Sequence, residues 1–384
     1  MYQIKLDEVL AGYSMSTSQG NEIVSIQYRG YVLQSEGREF IRKVDGVVNK
    51  ILNKLPVTIS PTDVKTLVAI IKPNLETEVY VNECEVLAQA VVSKSINKGD
   101  PVTKQDLYHI HSVQLSEISF PNDCSYIVLL TNGWDRVFFY DFGPTLGGKE
   151  QRPIDYDVDR LLGLGLSASI FFEMFDLSLK EWGKIINTGW FPFSYLSYEQ
   201  QDKLINHIKY DWDKTPIIED INKSFIADKD QWLNTLQSNE VLNKHFQLIS
   251  KALNYHVNGD YDVSIHMLYP RLEALLREDF ISKNPGKQGR RQEVLASHIS
   301  TNVTGYSHQL SRFFPENFSE YVLKYYFRDF DPEVESDFVS RNSLSHGSVG
   351  ESALTLSSSI IGFLILDQIH RYTSFSKNIV LERG

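Results

Sequence analysis

Tyr126 to Gly143 reads YIVLLTNGWDRVFFYDFG. Two runs rich in β-branched and aromatic residues flank Asn132-Gly133, a pair that tolerates the positive φ angles of a tight hairpin turn. Few strand signals follow this hairpin, so it also divides the chain. Residues 1–150 read as a mixed α/β module, and the remainder reads as helical.

Upstream of the hairpin, Phe40 to Leu55 (FIRKVDGVVNKILNKL) repeats apolar residues at helical spacing. Pro61 to Ile71 reads as a second, short helix, with Ser60 as N-cap and Pro61 at the first helical position. Glu78 to Val81 and Val86 to Val92 read as strands.

Downstream, composition changes near Leu146-Gly147-Gly148. A buried helix is expected within Ile154–Asp176, where the glycines of LLGLGLS mark close packing. Residues 151–227 form a helical linking region. Residues 228–384 form a helical bundle. Within it, one helix is expected over Asn239–His256 and ends at Asn258-Gly259. Asp260 caps the next, Tyr261–Phe280, which Pro270 kinks and Asn284-Pro285-Gly286 ends. Further helices are expected at about 291–302, 306–328 and 351–375. The fold class is therefore α+β: an N-terminal α/β module, then an all-α C-terminal bundle.

Length and composition fit that division. A chain of 384 residues suits two or three domains. Its 42% hydrophobic content can bury their cores, which argues against long disorder. No secretory signal or membrane span is read, since the apolar run Ala353–Ile369 is short and interrupted by hydroxyl residues. Cys84 and Cys124 have neither metal-like nor disulfide-like spacing, and a reducing cytoplasm fits them. A net charge of −11 argues against a broad nucleic-acid surface and leaves room for a local one.

Chemistry concentrates in Ser340 to Gly347, SRNSLSHG, just before the last helix. The plain reading is a helix ending: a basic residue in the last turn, then glycine. The functional reading is metal-independent cleavage of RNA. Histidine is tuned to move protons near neutral pH, as the 2′-OH and the leaving oxygen require. A guanidinium meets the charge that grows on phosphorus, and an amide orients its neighbours. On one continuous helix, Arg341 and His346 would stand about 140° apart. They converge where the backbone bends or where two chains share a site.

The stretch RNSLSHG resembles the R-N-x-x-x-H-G motif of the HEPN superfamily (higher eukaryotes and prokaryotes nucleotide-binding). Chance would place that pattern in roughly one chain in a thousand of this length. GDYDVSIHMLYPRLEALLRED, residues 259–279, resembles an early helix of several HEPN groups, including those in phage-defence and abortive-infection proteins, and an α/β region ahead of such a domain is similar to the layout of Apea-like antiphage proteins. The resemblance covers about 240–384. It implies an endoribonuclease that needs no cofactor or metal and works as a homodimer through its C-terminal domain. Arg341 and His346 would be catalytic and Asn342 supportive. RNA, with tRNA as one candidate, would be the substrate, and the N-terminal module would answer a phage-derived or cellular trigger. Two alternatives stay open: a non-catalytic dimerisation or nucleotide-binding module, and a HEPN nucleotidyltransferase.

Other residues carry weaker expectations. Glu273 and Arg277, four apart, read as a surface ion pair, with a place in the cleft as the alternative. Lys287, Arg290 and Arg291 lie in a basic loop that suits phosphate. His109 and His111 share a strand face without further ligands nearby in sequence. Asp141-Phe142-Gly143 lacks the companions of a kinase motif. Trp190, Phe191, Phe193 and Tyr195 read as core.

Overall fold

The computed structural model describes residues 1–8, 10, 30–121, 123–132, 135–141, 157–304 and 310–378. The chain folds as two compact units. The first holds Met1–Val91 and His109–Phe175, the second Val92–Tyr108 and Asp176–Gly384.

The first unit is built on strands. β1 (Tyr2–Lys5), β2 (Gly30–Leu33), β3 (Thr66–Ile71) and β4 (Glu76–Val81) precede β5 (Val86–Val92) and β6 (Leu107–Leu115). β7 (Ser125–Asn132) and β8 (Asp135–Asp141) complete the set. Six of them form one antiparallel sheet in the order β1-β4-β3-β7-β8-β2, and β5 pairs with β6 separately. The expected hairpin is present as β7 and β8, with Asn132 opposite Asp135. Its turn, residues 133 and 134, lies outside the described residues, as do 142–156, which hold Leu146-Gly147-Gly148 and most of Asp141-Phe142-Gly143.

The expected Phe40–Leu55 helix appears as α1 (Arg38–Lys43), a π turn (Val44–Val48) and α2 (Asn49–Leu52). Phe40, Val44, Val48 and Ile51 pack with Leu67, Ala69, Leu129 and Phe138 in one buried cluster. The expected helix over Pro61–Ile71 is not formed. Its start signal holds only for a 3-10 turn, Pro61–Asp63, where Ser60 accepts from the Thr62 N–H. Thr66–Ile71 is strand β3 instead. Both faces of β3 are buried, so its run TLVAII is continuously apolar and carries no alternation. Within Ile154–Asp176 the helices are α3 (Val158–Ile170) and α4 (Phe172–Phe175). A Cβ on Gly163 would stand 2.9 Å from the backbone of His111 and Ser112, so glycine lets α3 lie directly on β6.

The second unit is helical. It runs α5 (Leu179–Asn187), α6 (Tyr198–Lys209), α7 (Thr215–Gln237), α8 (Glu240–Asn243), α9 (Phe246–Asn258) and α10 (Tyr261–Lys283). Then come α11 (Gln292–Thr304), α12 (Pro315–Tyr321), a π turn (Val322–Tyr326), α13 (Arg341–Ser345) and α14 (Leu356–Asn378). The division expected at 227/228 falls inside the unbroken helix α7. The single helix expected over Asn239–His256 is two, α8 and α9, broken at Lys244 and His245. Asn239 caps α8 by accepting from the Val241 and Leu242 N–H groups. Gly259 ends α9 at φ +86°, and α10 continues through Pro270 to Lys283. Asp260 stands at the N-cap of α10 but makes no capping bond with its side chain. The helix expected at 306–328 begins only at Pro315, because a proline disfavours the helical conformation in the residue before it. Residues 305–309 lie outside the described residues. The helix expected at 351–375 is a 3-10 turn, Glu351–Ala353, followed by α14.

α14 is the axis of this unit. Ile360, Phe363, Leu364, Ile365 and Leu366 are buried on successive faces, and α10, α11, α7 and α9 pack around it. Among the described residues no helix is long and apolar enough to cross a membrane.

Candidate active site

α13 is five residues long and begins with a reciprocal cap. Ser340 Oγ accepts from the Ser343 N–H at 3.0 Å, and Ser343 Oγ accepts from the Ser340 N–H at 2.9 Å. Ser340 Oγ also donates to the Phe327–Asp329 segment, at Arg328 O (3.0 Å). The cap fixes where the next residue, Arg341, starts its side chain.

Arg341 Nε donates to Glu273 Oε2, and Arg277 Nη2 donates to Glu273 Oε1. One carboxylate from α10 thus joins two guanidinium groups, one on its own helix and one 68 residues on. Glu273 is only 5% exposed, which corrects the expectation of a surface ion pair. Burial of a lone carboxylate is costly, and the two arginines offset that cost. The side chains of Arg341 and Arg277 remain 30% and 39% exposed. Arg341 Nη2 makes no hydrogen bond among the described residues, so its two N–H groups are available to an incoming acceptor.

Asn342 is buried and faces inward. Its amide donates to Phe327 O (2.8 Å) and pairs with the amide of Gln292 through bonds of 3.0 and 3.4 Å. It secures α13 to α11 and to the chain before it. Gln292 and Phe327 were not foreseen, since nothing in their sequence surroundings marks them.

His346 closes α13. The backbone stays helical through it (φ −100°, ψ 0°) and turns left-handed only at Gly347 (φ +67°). The helix-ending reading is therefore met at this end. The imidazole is exposed, stacks on Phe330 with ring centroids 4.7 Å apart, and makes no side-chain hydrogen bond among the described residues.

The basic loop joins α10 to α11. Lys283 pairs with Asp279 at 3.0 Å and Arg291 with Glu293 at 3.6 Å. Lys287 and Arg290 are exposed and make no ion pair among the described residues. Arg277 Nε donates to Gly289 O at 3.4 Å, which ties this loop to the arginine–glutamate group. No family model, curated protein or solved structure matches the chain.

The remaining sequence candidates fall elsewhere. His109 is fully buried, and the described residues hold no group of three or more side chains suited to a metal ion. Trp190, Phe191 and Phe193 are core, each at most 1% exposed. Tyr195 differs: it lines a cavity.

Proposed function

We propose that this chain is a HEPN-type endoribonuclease that cleaves RNA without a metal ion. The observation that carries the reading is the grip of buried Glu273 on Arg341. A helix ending accounts for His346 and Gly347 but gives no reason for a cation at the start of α13. Positive charge there opposes the helix dipole, and a buried carboxylate holds it in place nonetheless. An arginine set in position, with Nη2 free to donate, suits the charge that develops on a phosphoryl group.

In the reaction, the 2′ oxygen bonds to phosphorus and the bond from phosphorus to the 5′ oxygen breaks. His346 takes the 2′-OH proton or gives one to the departing 5′ oxygen. The products are a 2′,3′-cyclic phosphate and a 5′-OH. Lys287 and Arg290 would hold flanking phosphates. Unpaired RNA is the fitting substrate because its backbone can open at the cleavage point, and a tRNA loop meets that need. Loss of tRNA would stop translation, which suits a toxin or an antiphage role.

Arg341 and His346 stand about 140° apart around α13, so one chain does not present them on one helix face. Two copies facing each other supply the convergence, and the proposed enzyme is a homodimer through its helical unit. The test is incubation of purified protein with total cellular RNA in EDTA, with and without extract from phage-infected cells. Discrete fragments ending in cyclic phosphate are expected from the wild type, and none from Arg341→Ala or His346→Ala. Equal cleavage by both variants would refute the assignment.

A further inference from the structure

A cavity of about 660 Å³ opens in the second unit, and its lining includes no residue of α13. That size suits a small organic molecule. Three features of its wall lack a partner, one of them a counter-charge and two of them a hydrogen bond.

The first is Arg312, which is 1% exposed. Its guanidinium donates to Gln201 Oε1 (2.7 Å) and to the carbonyls of Leu107 (2.8 Å), Gln105 (3.2 Å) and Leu196 (3.5 Å). None of these partners is a carboxylate. A buried cation normally has an anionic partner. Burial draws the Arg312 pKa down to about 10, which leaves it charged at neutral pH.

The second is Arg371 on α14. Its Nε donates to Asp367 Oδ2 (2.5 Å) and its Nη1 to the Tyr108 hydroxyl (2.6 Å). The other oxygen of Asp367 accepts from the Trp232 indole N–H (3.0 Å), so that carboxylate is satisfied. Nη2 of Arg371 makes no hydrogen bond among the described residues. The third is Tyr195, whose hydroxyl is buried without a hydrogen-bond partner. Native proteins seldom leave such a group unpaired.

The acidic groups of the lining do not answer these donors. Asp106 is paired with Lys94 at 2.6 Å and accepts from Thr103, and Asp228 is exposed. Burial lowers the pKa of His370, which disfavours its charged form. Hydroxyl and amide side chains, among them Ser197, Gln200, Ser224, Gln231 and Thr235, make up much of the remaining polar wall. Such a wall matches a ligand that carries hydroxyl groups.

We propose that this cavity binds a small hydroxylated organic anion, a phosphate monoester or a carboxylate. Its anionic oxygens accept from Arg371 Nη2 and the Tyr195 hydroxyl and supply Arg312 with its missing counter-charge. Its hydroxyls bond to the serine, threonine and glutamine side chains.

The test is isothermal titration of the full chain with glycerol 3-phosphate, glycerate, inorganic phosphate and glycerol. Saturable binding is expected for one of the two hydroxylated anions, and none for glycerol. Tyr195→Phe removes a hydroxyl with no partner, so it should fold as well as the wild type while weakening binding about tenfold. Arg371→Gln should weaken it further. The ester and the carboxylate share a diol and differ in the charged group and the CH2–O link that carries it, so their relative affinities tell which class is meant. Absence of saturable binding by either anion up to ~10 mM would overturn the proposal. So would binding that Tyr195→Phe leaves unchanged, or inorganic phosphate binding as tightly as the preferred anion.

Discussion

Glu273 is the residue on which the arginine pair depends. Glutamine keeps its shape and removes its charge, leaving two guanidinium groups close together without a carboxylate. Glu273→Gln should cost about 2 kcal/mol, read as a lowered urea midpoint with unchanged slope. A larger loss is not expected, because both arginine side chains keep contact with solvent. If the midpoint does not move, the group contributes nothing to stability. A second titratable residue gives a pH signature. His256 bonds to Ser359 Oγ and Asn222 Oδ1, both at 2.8 Å, and burial pulls its pKa down to about 4. The unfolded chain takes up that proton near pH 6.5 and the folded one only near pH 4. Stability should therefore fall as pH drops from about 6.5 to 4, by up to roughly 3 kcal/mol from this residue. Urea midpoints at pH 7 and 4.5 measure the drop, and His256→Gln should shrink it. An equal drop in that variant would place the pH dependence elsewhere.

Among the elements, the sequence was most readable where spacing and caps acted alone. The strand pair flanking the Asn-Gly turn, the helical run from Phe40 and the left-handed end at Gly259 all rest on local chemistry: β7 pairs with β8, the run forms as α1, a π turn and α2, and Gly259 ends α9, while the turn itself lies outside the described residues. The strand β3 was misread because burial on both faces erases the period that separates strand from helix. Glu273 was half legible for a similar reason. Its partner Arg277 lies four residues on, but Arg341 lies in another helix, and only packing of α13 against α10 brings it close. The glycines of LLGLGLS were read as close packing, and Gly163 supplies the test. Alanine there gains helix propensity of about 1 kcal/mol, yet its Cβ would meet strand backbone at 2.9 Å. Backbone cannot turn aside as a side chain can, so overpacking should win. Gly163→Ala should lose about 1–2 kcal/mol net and melt several degrees lower, while Gly183→Ala, where a Cβ meets nothing, should not. Equal melting temperatures for both would show that α3 does not rely on that contact.

For the whole molecule, net charge and the proposed substrate stand in tension. A chain of charge −11 repels RNA at long range, so binding must rest on a local group of cations. Arg341, Arg277 and the basic loop form such a group, because α10 carries Arg277 and Glu273 and leads directly into residues 284–291. The proposed sharing of the site between two chains can be tested directly. If each site takes Arg341 from one chain and His346 from the other, two inactive variants can repair each other. A heterodimer of Arg341→Ala with His346→Ala holds one site that has lost both groups and one that keeps both. Mixed and allowed to exchange subunits, the two variants form heterodimers as about half of all dimers, each with one working site. Activity should return to about a quarter of the wild-type level, although neither variant cleaves alone. If each chain carried a complete site, every chain in the mixture would still lack one group, and mixing would restore nothing. The experiment therefore separates a site shared between chains from one within a chain, using RNA fragments as the only readout.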